Sequence, residues 1–405
     1  MIPKIETILI EESIASHPLT RDIIHIQESA QEFSPKQKTI ADKDYQAIQR
    51  ELRERINLNG SPLKGLEPEN SELYDAGKKI LVLKRSRGNP FRTCPGTQAP
   101  GNFRNVCCNY YVFNFLSGCP LNCSYCYLYG YLNQPALSMQ VNIEDPLSDL
   151  IALFQRKRKR FFRVGTGEIA DSLALPASDP LNRLLVEAFS KEPNALLEFK
   201  TKSNRIGPLL DLDPNGRVVV SWSLSPPEIS KQEEHGTATP IERIQAAKTI
   251  SESGYLVAFH LDPLIFIHRD LKEWKKDYFN LMEMIFDQIN PSKISWISMG
   301  SLRFLKGLRE QIMDRFPNSK LPYQEMLPAG DGKFRYPKPI RKQMFQFISQ
   351  CIKDLSGSKS PPVYLCMESR DIWQNSLGKT PDPNGDLRPL YSHAIPQPIQ
   401  FVQGN

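Results

Sequence analysis

Apolar runs alternate with amphipathic stretches through the middle of the chain. The spacing predicts helices over 145–160, 179–191, 240–253 and 270–289, and strands over 161–164, 195–201, 217–223, 255–261 and 294–299. An aromatic and β-branched run at 110–116 adds a first strand. About six βα units of this length predict an α/β protein with a parallel sheet, here a partial (β/α)6 barrel.

The flanking regions are patterned differently. Residues 1–76 are predicted as an N-terminal extension with one plausible helix near 43–56, and 78–84 as a short strand. The barrel with its lead-in segment is predicted to occupy 77–318. Residues 319–405 are expected to form a C-terminal segment that packs on the barrel.

Composition indicates a soluble globular protein. The chain has 405 residues, of which 40% are hydrophobic and 24% charged. The N-terminus carries acidic residues where a signal peptide needs an apolar run, and no span of roughly 18 apolar residues occurs, so we expect a cytoplasmic protein without a membrane partner. The formal net charge of +6 suits an anionic partner such as DNA without establishing one.

Three of the eight cysteines fall within eight residues, directly after the first predicted barrel strand. Cys119, Cys123 and Cys126 have the spacing C-x3-C-x2-C, which can hold three corners of a [4Fe-4S] cluster and leave one iron open. A fourth cysteine for an electron-transfer cluster, or a second ligand pair for zinc, does not follow nearby. Zinc binding and buried thiols remain the alternatives.

An iron with an open position can chelate the amino and carboxylate groups of S-adenosylmethionine and cleave it to methionine and a 5′-deoxyadenosyl radical. With an aromatic residue before the last cysteine, the motif resembles the signature of the radical S-adenosylmethionine superfamily. This resemblance implies a [4Fe-4S] cluster and S-adenosylmethionine as cofactors, and a reducing electron donor such as flavodoxin or ferredoxin. It also implies that Tyr125 lies against the adenine.

The segments SGCPLNCSYCYL, GTGEIADSLAL, FKTKSNRI, VVVSWSLSP and TPIERIQAAKTISESGYLVAFHLDPLI follow the order found in the spore photoproduct lyase family, and the resemblance spans about 78–355. In that family the founding enzyme reverses a thymine dimer in DNA by abstracting a hydrogen atom. The resemblance gives catalytic roles to Tyr125 and to Tyr127, the latter in radical propagation. It places Lys202 and Ser223 at the carboxylate end of S-adenosylmethionine.

The turn Gly165, Thr166, Gly167 and Glu168 follows the second barrel strand. Its glycines allow close backbone approach, and its carboxylate suits the amino group of the ligand. An ordinary βα turn, with Glu168 near a helix start, is the alternative.

One stretch departs from the family pattern. The family's lyase has a cysteine after the second barrel strand that returns a hydrogen atom to the product radical, whereas 163–168 contain no sulfur. The resemblance therefore implies the same initiating chemistry. Either a different donor, such as Tyr127 or a cysteine from elsewhere, replaces the missing one, or, more simply, the substrate differs from that of the lyase. A DNA lesion remains one possible substrate and a small molecule or protein another. A non-catalytic iron-sulfur or zinc protein that contacts nucleic acid is the alternative from another class.

The other cysteines have several interpretations. Cys94, Cys107 and Cys108 suit a second metal site, hydrogen-atom donors or loop packing. Cys351 and Cys366 are predicted to be core residues.

Polar candidates follow the later strands. Asp171 and Ser172 could face the substrate or cap a short helix, and His260 and Asp262 could contact the substrate or only hydrogen-bond within the protein. Basic residues that could touch phosphates, or simply lie on solvated helix faces, are Arg303, Lys306 and the run 156–160. The segment 368–373 is a candidate to close over the barrel.

Overall fold

The computed structural model describes residues 4–41, 44, 75–95, 105–106, 108, 110–130, 136–267 and 270–379. The helix predicted near 43–56 lies almost entirely outside these residues. The α-helices with complete descriptions are α1 (Pro18–Ser29), α2 (Glu144–Arg156), α3 (Asp179–Phe189), α4 (Pro227–Glu233), α5 (Pro240–Glu252), α6 (Leu271–Gln288), α7 (Leu308–Arg315), α8 (Lys338–Ser356) and α9 (Arg370–Leu377).

The strands are numbered in chain order. They are β1 (Thr7–Glu11), β2 (Lys36–Ile40), β3 (Ile80–Lys84), β4 (Phe91–Thr93), β5 (Asn105–Val106), β6 (Tyr111–Phe113), β7 (Leu116–Ser117), β8 (Asn122–Cys123), β9 (Leu137–Gln140), β10 (Phe162–Gly165), β11 (Ala195–Thr201), β12 (Val218–Ser223), β13 (Glu234–His235), β14 (Leu256–Leu264), β15 (Ile294–Ser301), β16 (Arg303–Phe304), β17 (Leu327–Pro328), β18 (Phe334–Arg335), β19 (Val363–Leu365) and β20 (Glu368–Ser369).

The central sheet has eight strands in the order β19-β15-β14-β12-β11-β10-β6-β4. All neighbours are parallel except β4, which runs antiparallel to β6 at one edge. The six predicted barrel strands are all present, and β19 from the C-terminal region extends the sheet at the other edge. This curled, half-barrel sheet in a mixed α/β protein confirms the predicted fold class.

The strands of the central sheet are continuous apolar runs in the sequence because both of their faces are buried. Every residue of β12 and β15 is buried, as expected for parallel strands covered by helices on one face and by the barrel interior on the other. Local signals set the helix starts: Thr239 and Glu242 form a capping box at α5, and Asp270 accepts two backbone N–H groups at α6.

The N-terminal region contributes a second sheet, in the order β2-β1-β3-β9-β7. The prediction of a single helix before residue 77 was wrong, because α1 also lies there. Its buried positions, Thr20, Ile23 and Gln27, are spaced as a helical stripe, but two of the three are polar and conceal the apolar face.

None of the helices within the described ranges is both long enough and apolar enough to span a membrane.

Candidate active site

The cysteine loop lies beyond β6 and β7 and is fixed at both ends. Gly118 has a φ of 91°, and its N–H donates to the carbonyl oxygen of Ile169 at 2.9 Å. A Cβ at Gly118 would lie 2.9 Å from a methyl carbon of Leu137, so both the backbone conformation and the space require glycine. Further along, β8 pairs antiparallel with β13, which places Cys123 opposite Glu234.

Glu233 holds the middle of the loop. Its carbonyl oxygen accepts from the N–H of Ser124 at 2.8 Å, and its carboxylate accepts from the Ser124 hydroxyl. The hydroxyl of Ser319 donates to the same carboxylate at 2.8 Å. Because Glu233 is fully buried, the loop conformation is determined by the protein itself.

Of the three thiols, Cys123 is buried and Cys119 and Cys126 are half-buried. Burial raises the pKa of Cys123 to about 12, and it also raises the pKa values of Cys119 and Cys126. Lys202 opposes the shift at Cys123, and Lys78 opposes it at Cys119 and Cys126. Cations beside sulfur favour the thiolate form that binds metal.

The donor set consists of three thiols from one loop. Across the described ranges, no three or more cysteine, histidine or acidic side chains converge on one point. A cubane cluster places each cysteine sulfur on a different iron, so its ligands need not meet at one point. Three thiols on one loop, one buried and two half-buried, with two ammonium groups nearby, suit three corners of a negatively charged cluster.

Tyr125 is anchored by a buried ion pair. Its hydroxyl donates to Glu234, whose carboxylate also accepts from Arg243 at 2.6 Å and from Ser225 at 3.1 Å. Burial raises the pKa of Tyr125, and Glu234 raises it further, so the phenol stays protonated. Sequence reasoning missed Glu234 and Arg243, which fix the ring beside the cysteine loop.

Lys202 and Ser223 are both positioned at strand ends. The Lys202 Nζ lies 5.7 Å from the centroid of the Tyr125 ring, and its backbone N–H donates to Asp171 at 2.8 Å. Ser223 ends β12, and its carbonyl oxygen accepts from Arg243 at 2.8 Å. Lys202, Tyr125 and the buried Arg243 network therefore occupy one region next to the thiols.

Asp171 hydrogen-bonds mainly to backbone N–H groups. Its carboxylate accepts from the N–H groups of Leu173 and Ala174 and from the Thr201 hydroxyl at 2.7 Å. Ser172 accepts from the N–H of Lys200 at 3.1 Å. Of the two roles considered for Asp171 and Ser172, the structure favours the turn-stabilising one.

The glycine turn packs closely against its neighbours. A Cβ at Gly165 would fall 1.4 Å from the hydroxyl oxygen of Tyr110, and one at Gly167 would fall 2.9 Å from the Cβ of Lys200. The Thr166 hydroxyl lies 2.8 Å from that of Ser172. Both glycines are therefore required by packing inside the barrel, whatever the turn binds.

Glu168 is already paired within the chain. Its carboxylate accepts from the side-chain amide of Asn114 and from the guanidinium of Arg92 at 3.0 Å. An amino group of a bound ligand would share the carboxylate with these two donors.

Tyr127 directly follows the last cysteine of the motif. Its side chain is 46% exposed, and desolvation by the surrounding protein raises the pKa of its phenol. Its hydroxyl donates to the carbonyl oxygen of Glu168 at 3.3 Å, and Asp262 and Arg303 are near enough to influence its pKa.

His260 belongs to a polar network inside the barrel. Its Nε2 lies 2.7 Å from Glu198, and its Nδ1 is hydrogen-bonded to Ser298. Glu198 is also paired with Arg163 at 2.7 Å. Burial lowers the pKa of His260 to about 4, so the imidazole is neutral near pH 7. Of its two interpretations, the hydrogen-bonded histidine is the one the structure favours.

The basic candidates differ in their surroundings. Arg303 donates to Asp262 at 2.7 Å and to the carbonyl oxygen of Cys366 at 3.0 Å, so it does not lie on a solvated helix face. Lys306 and the run 156–160 are exposed.

Two of the remaining cysteines were expected in the core. Cys351 is 4% exposed, which agrees with that expectation. Cys366 is only half-buried, because it follows the last residue of β19 and lies at the edge of the sheet. Cys94 and Cys108 are half-buried, whereas Cys107 lies outside the described residues.

The C-terminal segment 368–373 is anchored at both ends. Glu368 is buried and paired with Arg341, and Trp373 is 1% exposed. Between them β20 pairs antiparallel with β5, so the segment packs against the lead-in to the barrel.

Comparisons with known proteins find relatives that match most of the chain. The spore photoproduct lyase of Clostridium acetobutylicum is 24% identical over 348 residues, 84% of this chain and 93% of that protein. The Bacillus subtilis enzyme is 24% identical over 333 residues, 80% of this chain and 92% of its own length. A solved spore photoproduct lyase variant with bound S-adenosylmethionine and dinucleoside spore photoproduct has a TM-score of 0.71 at 19% identity. That match covers 90% of this chain and 99% of the solved one.

The fold and these relatives define a radical S-adenosylmethionine enzyme of the lyase type. A family model described as spore photoproduct lyase matches residues 22–359. The chain belongs to the spore photoproduct lyase family.

Proposed function

We propose that this protein uses a [4Fe-4S] cluster and S-adenosylmethionine to abstract a hydrogen atom from a lesion in DNA. The observation that carries the proposal is the set of three thiols, one buried and two half-buried, on a hydrogen-bonded loop with Lys202 and Tyr125 beside them. Bound at this loop, the cluster supplies the electron that cleaves S-adenosylmethionine into methionine and a 5′-deoxyadenosyl radical.

Each group has a defined task in this proposal. Cys119, Cys123 and Cys126 bind three irons. Lys202 pairs with the carboxylate of S-adenosylmethionine, and an ammonium near the thiols also offsets the negative charge of the cluster. Tyr125, held by Glu234, packs against the adenine as a fixed aromatic surface.

The barrel interior supplies the rest of the binding surface. Ser223 offers a hydroxyl at the end of β12, and the turn from Gly165 to Glu168 brings backbone close to the ligand. Tyr127 lies directly after Cys126, beside the site of hydrogen abstraction. The protein walls exclude water and other hydrogen donors from the radical.

A DNA lesion is the preferred substrate class because of the relatives. A solved spore photoproduct lyase holds a dinucleoside spore photoproduct, and curated relatives of that name match most of this chain. The exposed run 156–160 at the end of α2 is a candidate contact for the phosphate backbone. A flavodoxin or ferredoxin is the proposed electron donor.

The test begins with cofactor chemistry. The protein is purified and reconstituted without oxygen, reduced, and given S-adenosylmethionine; iron content and 5′-deoxyadenosine are then measured. We expect about four irons per chain and cluster-dependent 5′-deoxyadenosine, both reduced in Cys123→Ala but retained in the matched control Cys351→Ala. A fully loaded, reducible protein that yields no 5′-deoxyadenosine contradicts the proposal.

The substrate is tested next with dinucleoside spore photoproduct and with ultraviolet-damaged DNA. We expect either substrate to accelerate formation of 5′-deoxyadenosine relative to undamaged DNA, and the lesion to disappear in step. Cleavage of S-adenosylmethionine that no DNA lesion stimulates would leave the radical chemistry in place and reject the substrate class.

A further inference from the structure

Cys366 is placed where catalytic residues of parallel barrels lie. It follows the last residue of β19, at the carboxyl edge of the sheet, and its N–H donates to the carbonyl oxygen of Met299 at 2.7 Å. The next residue, Met367, has a φ of 55°, an uncommon conformation for a side chain of this kind. This turn ends the strand and leaves the Cys366 side chain half-buried.

An ion pair holds Cys366 at this position. Arg303 donates to the Cys366 carbonyl oxygen at 3.0 Å and to the Asp262 carboxylate at 2.7 Å. Gly300 provides the space for Asp262, since a Cβ there would lie 2.6 Å from the carboxylate. Burial, followed by the nearby Asp262 charge, raises the pKa of Cys366, so its sulfur keeps its hydrogen at neutral pH.

Cys366 also lies on the inner face of the barrel. The hydroxyl of Tyr364, on β19, accepts from the guanidinium of Arg163, on β10, at 3.0 Å, and both side chains are buried. Side chains two residues apart along a strand share a face, so Cys366 faces the barrel interior at the carboxyl end of β19.

A second thiol lies near Cys366. In the antiparallel pair of β5 and β20, Val106 is opposite Glu368. Cys108 follows Val106 by two residues and Cys366 precedes Glu368 by two, so this pairing brings the two cysteines into the same part of the structure. The electrostatic influence of Cys108 on the Cys366 thiol agrees with this placement.

An unpartnered hydroxyl points into the same part of the barrel. Tyr110 is 7% exposed, and within the described ranges its hydroxyl has no hydrogen-bond partner. It lies over Gly165, the residue that ends β10. The Arg163 guanidinium lies 5.0 Å from the Tyr110 ring centroid and also donates to the hydroxyl of Tyr364, two residues before Cys366. A buried donor without an acceptor is costly, and a bound molecule that accepts from it would remove that cost.

We propose that Cys366 is the catalytic hydrogen-atom donor that quenches the substrate radical, in a pocket whose opposite wall carries the Tyr110 hydroxyl as a ligand contact. This role rests on the proposed function. The geometry that supports it is the half-buried thiol at the strand end, fixed by Arg303 and on the inner face of β19.

The chemistry balances as follows. After the deoxyadenosyl radical has taken a hydrogen atom from the lesion, the carbon–carbon bond that joins its two bases breaks, and the radical left on one released base takes the hydrogen atom of the Cys366 S–H bond. A C–H bond forms, the S–H bond breaks, and a thiyl radical remains on Cys366. One electron from the low-potential reductant that cleavage of S-adenosylmethionine already requires, and one proton from water, restore the thiol. Each turnover then consumes one S-adenosylmethionine.

The first test uses heavy water. Thiol hydrogens exchange with solvent, so in D₂O the wild-type protein should transfer deuterium to product formed from dinucleoside spore photoproduct. Cys366→Ala and Cys366→Ser should still release 5′-deoxyadenosine, but repaired product per 5′-deoxyadenosine should fall at least tenfold, with deuterium lost from what remains. Cys351→Ala, which removes a core thiol, should behave as wild type.

Thermal unfolding verifies that the Cys366 variants fold. The serine variant keeps a side chain close in size to cysteine, so it controls for packing changes in the alanine variant. Wild-type yield and deuterium content in a folded Cys366 variant would overturn the donor role alone. No product from the wild-type protein would overturn the proposed function, and the donor role with it.

The second readout needs no cofactor. In the folded, metal-free protein, p-hydroxymercuribenzoate, which displaces the thiol proton, should label Cys366 at least tenfold faster than the buried Cys351, as measured by peptide mass spectrometry. The dinucleoside should slow labelling of Cys366. Equal rates at both cysteines would show that the Cys366 thiol does not face an open cavity and would overturn the proposal.

Discussion

The hydroxyl of Tyr125 donates a hydrogen bond to the carboxylate of Glu234, 109 residues further along the chain. Glu234 is fixed by Arg243 at 2.6 Å, and both members of that ion pair are fully buried. Glu234 lies on β13, which pairs with β8, the strand that contains Cys123. The residue that orients the Tyr125 ring is therefore directly opposite Cys123. One short segment thus positions a proposed cluster ligand and the proposed adenine contact together.

Glu234→Gln should destabilise the protein strongly. Removing one charge leaves Arg243 buried without its counter-ion, which typically costs about 3–5 kcal/mol in the free energy of unfolding. Tyr125→Phe removes only one hydrogen bond and should cost about 1 kcal/mol. Denaturant unfolding of the metal-free protein measures both. Similar losses in the two variants would mean that the ion pair contributes little beyond the Tyr125 hydrogen bond.

Gly165→Ala should be destabilising because of Tyr110. The new methyl group would fall 1.4 Å from the Tyr110 hydroxyl oxygen, so the ring must move, at a typical overpacking cost of about 1–3 kcal/mol. In Tyr110→Ala, which vacates that space, the same glycine substitution should cost much less, so the two changes should be non-additive. Gly207→Ala, where no atom lies within 4 Å, is the matched control. Additive losses would rule out the close contact.

The His260 network should make stability fall in mild acid. The pKa of His260 is lowered from 6.5 to about 4, so between these values the unfolded chain binds the proton that the folded protein does not. The contribution is complete above about pH 6.5 and is lost as the pH falls; by pH 4.5 the loss should reach about 2–3 kcal/mol.

His260→Gln should flatten this part of the pH profile of the unfolding free energy. His25→Gln, at an exposed position, should leave the profile as in the wild type. If the profiles of His260→Gln and wild type run parallel between pH 4.5 and 6.5, the buried imidazole is not the group responsible.

Local patterns predict the barrel well because parallel strands and their helices are periodic in sequence. The strand predicted over 195–201 matches β11 residue for residue, and the other five predicted barrel strands are found within a few residues of their expected ends. A helix whose buried face carries polar residues is not found from hydrophobic periodicity. This is the case for α1, where Thr20 and Gln27 are buried.

The cysteine motif could be found in sequence because its three ligands lie within eight residues. Glu234 could not, because it gains its role only through the pairing of β13 with β8. Cys366 is predicted to be a core residue because it is taken as part of the apolar strand VYLCM. In the structure the strand ends one residue before it, next to the turn at Met367. The role of Glu234 and the position of Cys366 both depend on contacts between residues that are distant in sequence.

Lys202→Met should weaken binding of S-adenosylmethionine to the reconstituted protein by roughly ten- to a hundredfold. The Lys202 ammonium lies beside Tyr125 and near Cys123, and its loss removes a charge-assisted hydrogen bond worth about 1.5–3 kcal/mol to the proposed ligand carboxylate. Equilibrium dialysis gives Kd, with iron content measured in the same samples. Lys231→Met, at an exposed position on α4, should bind as wild type. An unchanged Kd would remove Lys202 from the ligand site, whereas a loss of iron would assign its charge to the cluster instead.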